Sequence, residues 1–170
     1  MIAIRLATPD DIPELPRIER SAGEAFRATA HAWVADDEDT PEEVYPPRIA
    51  AGNVLIAEVD GQLAGFVDAS VKAGDLHVWS LDVRFEHQGK GIGRALMAAA
   101  RERAVQLGCK GMTLTTFVDV PFNAPFYRSL GFEILPAPPK RLAKILATEA
   151  SRGLTNRCAM RAPLQPRLDP

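Results

Sequence analysis

The sequence predicts an α/β fold built on about seven strands. Two observations carry it. β-rich runs alternate with helix-forming runs along the chain, and the middle holds three β-rich runs separated by two short turns, as in a meander of hairpins. Length agrees, because 170 residues, 46% of them hydrophobic, suffice for one domain with a substantial core. That domain is expected to span residues 1–164, with a loose Pro-rich tail over 165–170.

The opening run, MIAIRLA, suits a strand. TPDDIPELPRIERSA follows as a helix, with Thr8 as N-cap, Pro9 in the first helical position and acids in the first turn. DDEDTPEEVYPPRIAAG repeats the start signal through Thr40, Pro41 and Glu43, while Pro46 and Pro47 are expected to kink or end that helix early. The three meander strands come next, turned at Asp60-Gly61 and Ala73-Gly74-Asp75. GRALMAAARERAVQLG carries apolar Leu96, Ala99, Ala100, Ala104 and Leu107 on one stripe and stops at Gly108, a long amphipathic helix. KGMTLTTFV reads as a buried strand, NAPFYRSLG as a short helix stopped by Gly131, and FEIL as a strand. A helix from Arg141 to Ser151 and a last strand, TNRCAMRAPL, complete the order.

Charge and composition exclude several partners. A net charge of -2 with no sustained basic run offers no footprint for nucleic acid or an anionic membrane. No segment is long and apolar enough to span a bilayer, and the N-terminus lacks the apolar core of a signal peptide, so a cytoplasmic protein is expected. Cys109 and Cys158 have no metal-ligand spacing with the three histidines; both are expected to be reduced thiols, and no metal site is expected.

HQGKGIGRAL, residues 87–96, places three glycines at alternate positions before a helix. A P-loop needs four residues between its first Gly and Gly-Lys-Ser/Thr, but Lys90 is followed by Gly91. A dinucleotide fingerprint needs Gly where Arg94 or Leu96 stands. What survives is either a phosphate-binding helix N-terminus, with Gly89, Gly91 and Gly93 admitting a diphosphate to the backbone, or a Gly-rich turn closing a hairpin onto a helix.

The stretch LDVRFEHQGKGIGRALM resembles the acetyl-CoA-binding motif of the GNAT superfamily of N-acetyltransferases, with Gln88, Gly91 and Gly93 in the signature positions. NAPFYRSLGF adds a second match, since in that superfamily a Tyr precedes a Gly-Phe pair as Tyr127 precedes Gly131-Phe132. The resemblance implies a sandwich in which helices cover both faces of a mixed, mostly antiparallel sheet. It implies that the backbone from Gln88 through Gly89, Lys90, Gly91, Ile92 and Gly93 to Arg94 cradles the CoA pyrophosphate. It implies that Leu81, Asp82 and Val83 offer their peptide groups to pantetheine, and that Tyr127 holds and protonates the departing thiolate.

Asn123 stands one turn before Tyr127, either contacting pantetheine or capping the helix, and Phe126 completes the expected cofactor contacts. The activity implied is acetyl transfer from acetyl-CoA to a primary amine of a small molecule or protein, by direct attack in a ternary complex. The other reading is a catalytically silent acyl-CoA-binding module. A homodimer is an assembly either reading allows.

An alkylammonium must lose a proton before it attacks, an uphill step of roughly 4.6 kcal/mol at pH 7. Some relatives carry a Glu for this where the chain has Ser80. Ser80 is therefore expected to orient a water, and His77, on the same strand, to act as base. Glu24 and His31 are weaker candidates. The acidic run ADDEDTPEE is read as a solvated loop, with attraction of a cationic substrate as the alternative.

Overall fold

The computed structural model describes residues 1–165. The expected tail therefore lies, from residue 166 on, outside the described residues. Among the described residues, seven strands, β1 (Ile2–Leu6), β2 (Val54–Val59), β3 (Gln62–Lys72), β4 (Asp75–Val83), β5 (Gly111–Phe117), β6 (Glu133–Ile134) and β7 (Arg157–Pro163), form one sheet in the order β1-β2-β3-β4-β5-β7-β6. Five α-helices accompany them within the described residues: α1 (Leu15–Gly23), α2 (Tyr45–Ala50), α3 (Ile92–Gln106), α4 (Ala124–Arg128) and α5 (Lys140–Ser151). Pairing is antiparallel for β1–β2, β2–β3, β5–β7 and β6–β7, whereas β4 and β5 pair in parallel, at Leu76–Met112 and His77–Thr113. The chain divides into two compact units, Met1–Ser70 with Ser80–Glu102, and Val71–Trp79 with the chain from Arg103 on.

In the first unit, Asp60 and Gly61 both adopt positive φ, 51° and 76°, the backbone of a type I′ turn whose twist matches the β2–β3 hairpin. α1 buries Leu15, Ile18 and Ala22, one helical stripe. Leu15 and Ile18 join Val54, Ile56, Phe66 and Tyr45 in a core where Tyr45 meets Phe66 edge-on at 6.1 Å.

Prolines move two expected boundaries. Pro9–Glu14 is a 3₁₀ turn rather than the first turn of α1, because Pro13 has no N–H to continue an α-helical ladder. Its start is tied by Thr8, whose backbone N–H donates to Asp11 Oδ2 at 2.7 Å. Pro46 and Pro47, expected to end a helix, instead sit in the first turn of α2, where a missing N–H costs nothing. Thr40 does not cap a helix here; its N–H and hydroxyl both donate to Glu19, at 3.0 and 3.1 Å. Leu107, expected on the buried stripe of α3, lies past the end of that helix and is 48% exposed.

In the second unit, β5 pairs with β7 over its whole length, from Gly111–Pro163 to Phe117–Arg157. α5 packs on these strands through buried Leu142 and through Glu149, which accepts from Thr115 Oγ1 at 2.5 Å and Arg157 Nε at 2.7 Å. The helix between the last two strands is thus a cap on β5 and β7, and it lets β7 enter the sheet between β5 and β6.

Candidate active site

The first unit carries the glycine loop and three carboxylates that are wholly or partly buried. Arg84, at the end of β4, donates through Nε to Leu63 O at 2.8 Å and pairs with Glu14 at 2.6 Å, fixing the chain as it leaves the strand. Gln88 then donates from Nε2 to Val83 O at 2.9 Å and Ala22 O at 3.4 Å, and Lys90 Nζ donates to Glu86 O at 2.8 Å. These side chains shape the loop from behind.

Gly89 and Gly91 take φ of 72° and 86°, values that favour glycine. A Cβ at either position would meet no protein atom within 4 Å, so the backbone there faces open space. Ala95 N donates to Gly91 O at 3.0 Å, the bond that opens α3, so the N–H groups of Ile92 and Gly93 precede the i to i−4 ladder of the helix. Open glycine backbone leading into the positive end of a 15-residue helix suits phosphate oxygens.

The carboxylates come from three separate elements: Glu19 on α1, Asp68 on β3 and Asp82 on β4. Ser80 donates its hydroxyl to Asp82 rather than serving alone. The residue Asp82 keeps some surface in solvent, but burial of its carboxyl pushes its pKa up to about 7, against the Ser80 hydrogen bond and helped by the charges of Glu19 and Asp68. Glu19 is raised chiefly by burial, with Thr40 pulling it down and Asp39 pushing it up. Asp68, 1% exposed, is also raised by burial and opposed by its partner Arg48. Sequence reasoning counted Asp82 only for its peptide group and passed over Glu19 and Asp68. The available signal was an Asp inside each of two apolar strand runs, GFVDAS and WSLDVR.

Of the weaker candidates in this unit, Glu24 is paired with Arg27 at 2.7 Å, whose hydrogen bond holds its carboxyl below the usual range, and His31 is buried. Two acids of the acidic run are held in ion pairs, Asp36 with Arg27 and Asp39 with Arg20.

The second unit carries Tyr127 and His77. Tyr127, 9% exposed on α4, is held edge-on by Phe126 at 5.2 Å and Phe132 at 5.8 Å. Its carbonyl accepts from Leu130 N and Phe132 N, which locks the turn at Gly131. Asn123 occupies the N-cap position of α4 but makes no side-chain cap hydrogen bond. His77 is 1% exposed, with Nδ1 2.9 Å from Thr113 Oγ1 and its ring against Trp79 at 4.3 Å. Burial, then the charges of Arg141 and Lys72, lowers its pKa to about 4. Both cysteine thiols are pushed up by burial, as inert thiols are. Among the described residues, no helix is long and apolar enough to cross a membrane, and no group of His, Cys, Asp or Glu converges to hold a metal ion.

Comparison with known proteins gives these features a context. The family model described as acetyltransferase (GNAT) family matches residues 15–132. An uncharacterized N-acetyltransferase of Methanocaldococcus jannaschii is 30% identical over 86 residues, which cover 50% of this chain and 55% of the relative. Mycothiol acetyltransferase of Sanguibacter keddieii is 28% identical over 150 residues, covering 74% of this chain and 48% of the relative. The chain thus spans about half the length of these curated relatives. Among solved structures, PaiA N-acetyltransferase of Thermoplasma acidophilum in complex with coenzyme A superposes with a TM-score of 0.76 at 18% identity, over 96% of this chain and 99% of the other.

Proposed function

Because the chain belongs to the acetyltransferase (GNAT) family, whose acetyl donor is acetyl-CoA, we propose that it acetylates a primary amine by direct attack on the thioester in a ternary complex. The observation that carries this reading is the glycine loop, whose positive-φ backbone at Gly89 and Gly91 opens onto the start of α3. Amides from Gln88 to Arg94 receive the pyrophosphate, and the peptide groups of Leu81, Asp82 and Val83 lie along pantetheine, with the Val83 carbonyl already accepting from Gln88. Asn123 and Phe126 contribute cofactor contacts, and Tyr127 supplies the proton that the departing thiolate takes up.

Asp82 fits the role of base better than His77. Handing a proton from an ammonium of pKa about 10.4 to a carboxylate near 4 is uphill by about 9 kcal/mol; to one near 7 the step is about 4.6 kcal/mol. A buried imidazole with a pKa of about 4 gives no such advantage. Ser80 orients Asp82 by its hydrogen bond, so its role is to position the base. Turnover of acetyl-CoA by the purified protein against a panel of primary amines tests the function. CoA binding without turnover of any amine would support the silent binding module instead.

Two substitutions test the assignments within this site. Gly91→Val is expected to weaken CoA binding by at least about tenfold, because Val strains a φ of 86° and blocks the backbone; Lys90→Ala should change it by less than about threefold, since it removes one exposed charge and one exposed hydrogen bond, to Glu86 O. Equal losses by calorimetric titration would count against a backbone cradle. His77→Gln is expected to leave the neutral limb of the kcat/KM pH profile where it was, since His77 is already uncharged at that pH. Disappearance of that limb would return the base to His77.

A further inference from the structure

Three consecutive residues of β3 grip the end of the strand that carries Asp82. Arg84 Nε donates to Leu63 O and Arg84 N to Ala64 O, both at 2.8 Å. Gly65 then meets Asp82 itself: a Cβ there would stand 2.7 Å from Asp82 O, 3.2 Å from Val83 Cγ2 and 3.3 Å from Leu96 Cδ1. A side-chain carbon does not approach a carbonyl oxygen so closely, so only glycine admits the Asp82 peptide at this distance.

The pairing of β3 with β2 is irregular at the same point. Ala57 faces Gly65 while Glu58 faces Leu63, which leaves Ala64 as the extra residue of a β-bulge. The bulge lets Leu63 O and Ala64 O both serve Arg84, one through its side chain and one through its backbone. The other end of the Arg84 guanidinium is fixed by Glu14 at 2.6 Å. Bulges beside active sites re-aim side chains, and the residue held here carries the carboxyl that Ser80 orients. Leu96 lies in the second turn of α3, so the Gly65 contact also ties the strand of Asp82 to the helix that follows the glycine loop.

We propose that Gly65 and Arg84 are positioning residues for the acetyl transfer: through the bulge at Ala64 they fix the Asp82 peptide, and with it the Asp82 carboxylate, relative to Ser80 and to the start of α3. The inference rests on the acetyltransferase reading with Asp82 as base.

Carbon-13 NMR titration of the aspartate-labelled whole protein tests it, with the Asp82 carboxyl assigned by its absence in Asp82→Asn. The wild-type midpoint is expected near 7. Gly65→Ala pushes the Asp82 peptide outward, and Arg84→Lys releases the strand end while keeping the charge. Each admits water to the carboxyl and is expected to lower its midpoint by about one unit or more, since burial is the first cause of its elevation. Ser80, Glu19 and Asp68, the other groups acting on Asp82, are intact in both variants. Gly111→Ala, which crowds Arg161 and Ala162 O in the second unit, is the control; it should cost stability and leave the midpoint in place.

Turnover of acetyl-CoA with the most reactive amine of the panel supplies the second readout. Gly65→Ala and Arg84→Lys are each expected to lower kcat/KM by about tenfold or more, but by less than about threefold when added to Asp82→Asn, where there is no base left to position. Should Gly65→Ala fail to fold by circular dichroism, Arg84→Lys decides. A midpoint unmoved in the folded variants, or a full loss persisting in the Asp82→Asn background, overturns the inference. The two readings fail separately. A wild-type midpoint near the ordinary 3.8 sinks Asp82 as base and this inference with it, whereas a midpoint near 7 that ignores both substitutions sinks the positioning alone.

Discussion

Tyr127→Phe is expected to lower kcat by about 10² to 10⁴-fold, roughly 3 to 5 kcal/mol, with acetyl-CoA affinity nearly intact. The substitution separates chemistry from architecture. The ring sits edge-on between Phe126 and Phe132, and the backbone carbonyl closes the turn before Phe132; Phe retains both features and removes only the hydroxyl. A general acid acts on the transition state, so its loss falls on kcat. A loss below about threefold, less than about 0.7 kcal/mol, is too small for that role unless product release limits turnover. Single-turnover measurement removes that exception. If the chemical step itself is unchanged, Tyr127 is a packing residue of the second unit.

Asp82→Asn is expected to reduce kcat/KM by about 10² to 10⁴-fold and to abolish a limb that in the wild type rises through about pH 7. The limb rises because the carboxylate is the active form. Stability should move the opposite way. A carboxyl whose folded pKa is about 7 against an ordinary 3.8 is bound more tightly to its proton in the native state. Its ionisation therefore destabilises the fold progressively as pH rises from about 4 to about 7. Asparagine has no such penalty, so thermal melts should show the variant gaining on the wild type above pH 7 relative to its position below pH 4. Retained activity with the neutral limb in place would show that Asp82 is a buried acid with no part in proton transfer. Replacing Ser80 by Ala tests the same pair from the donor side. Loss of a hydrogen bond to the charged form should move the limb to higher pH without removing it.

Much of the architecture was legible in the chain because it depends on neighbours in sequence. The β2–β3 turn needs positive φ at two adjacent residues, and Asp60-Gly61 is a pair that supplies it. The glycine loop and α3 follow the same logic: residues 89–93 set both the backbone path and the helix start. Tyr127 and Phe132 are joined by one helical turn, so their packing was also implicit. Prolines were harder. Pro46 and Pro47 forbid a helix interior but equally favour a first turn, and only the docking of Tyr45 on Phe66 selects the second outcome.

The sequence by itself determined the order of strands and helices, the glycine loop and the place of the tyrosine, since each is specified by periodicity or by residues a few positions apart. Tertiary structure alone decided the carboxylate group and the state of His77. Glu19, Asp68 and Asp82 lie on a helix and two strands, and nothing local to any of them reports the other two. Their raised pKa values come first from burial, to which the charges of Glu19 and Asp68 add at Asp82, and both causes arise only when β3, β4 and α1 are assembled. His77 has the pKa of a base as a free side chain, yet the fold buries it against Thr113 and Trp79. The physical reason is common to both: desolvation and long-range Coulomb interaction are properties of the assembled interior, whereas capping, turn geometry and hydrophobic period are properties of the chain.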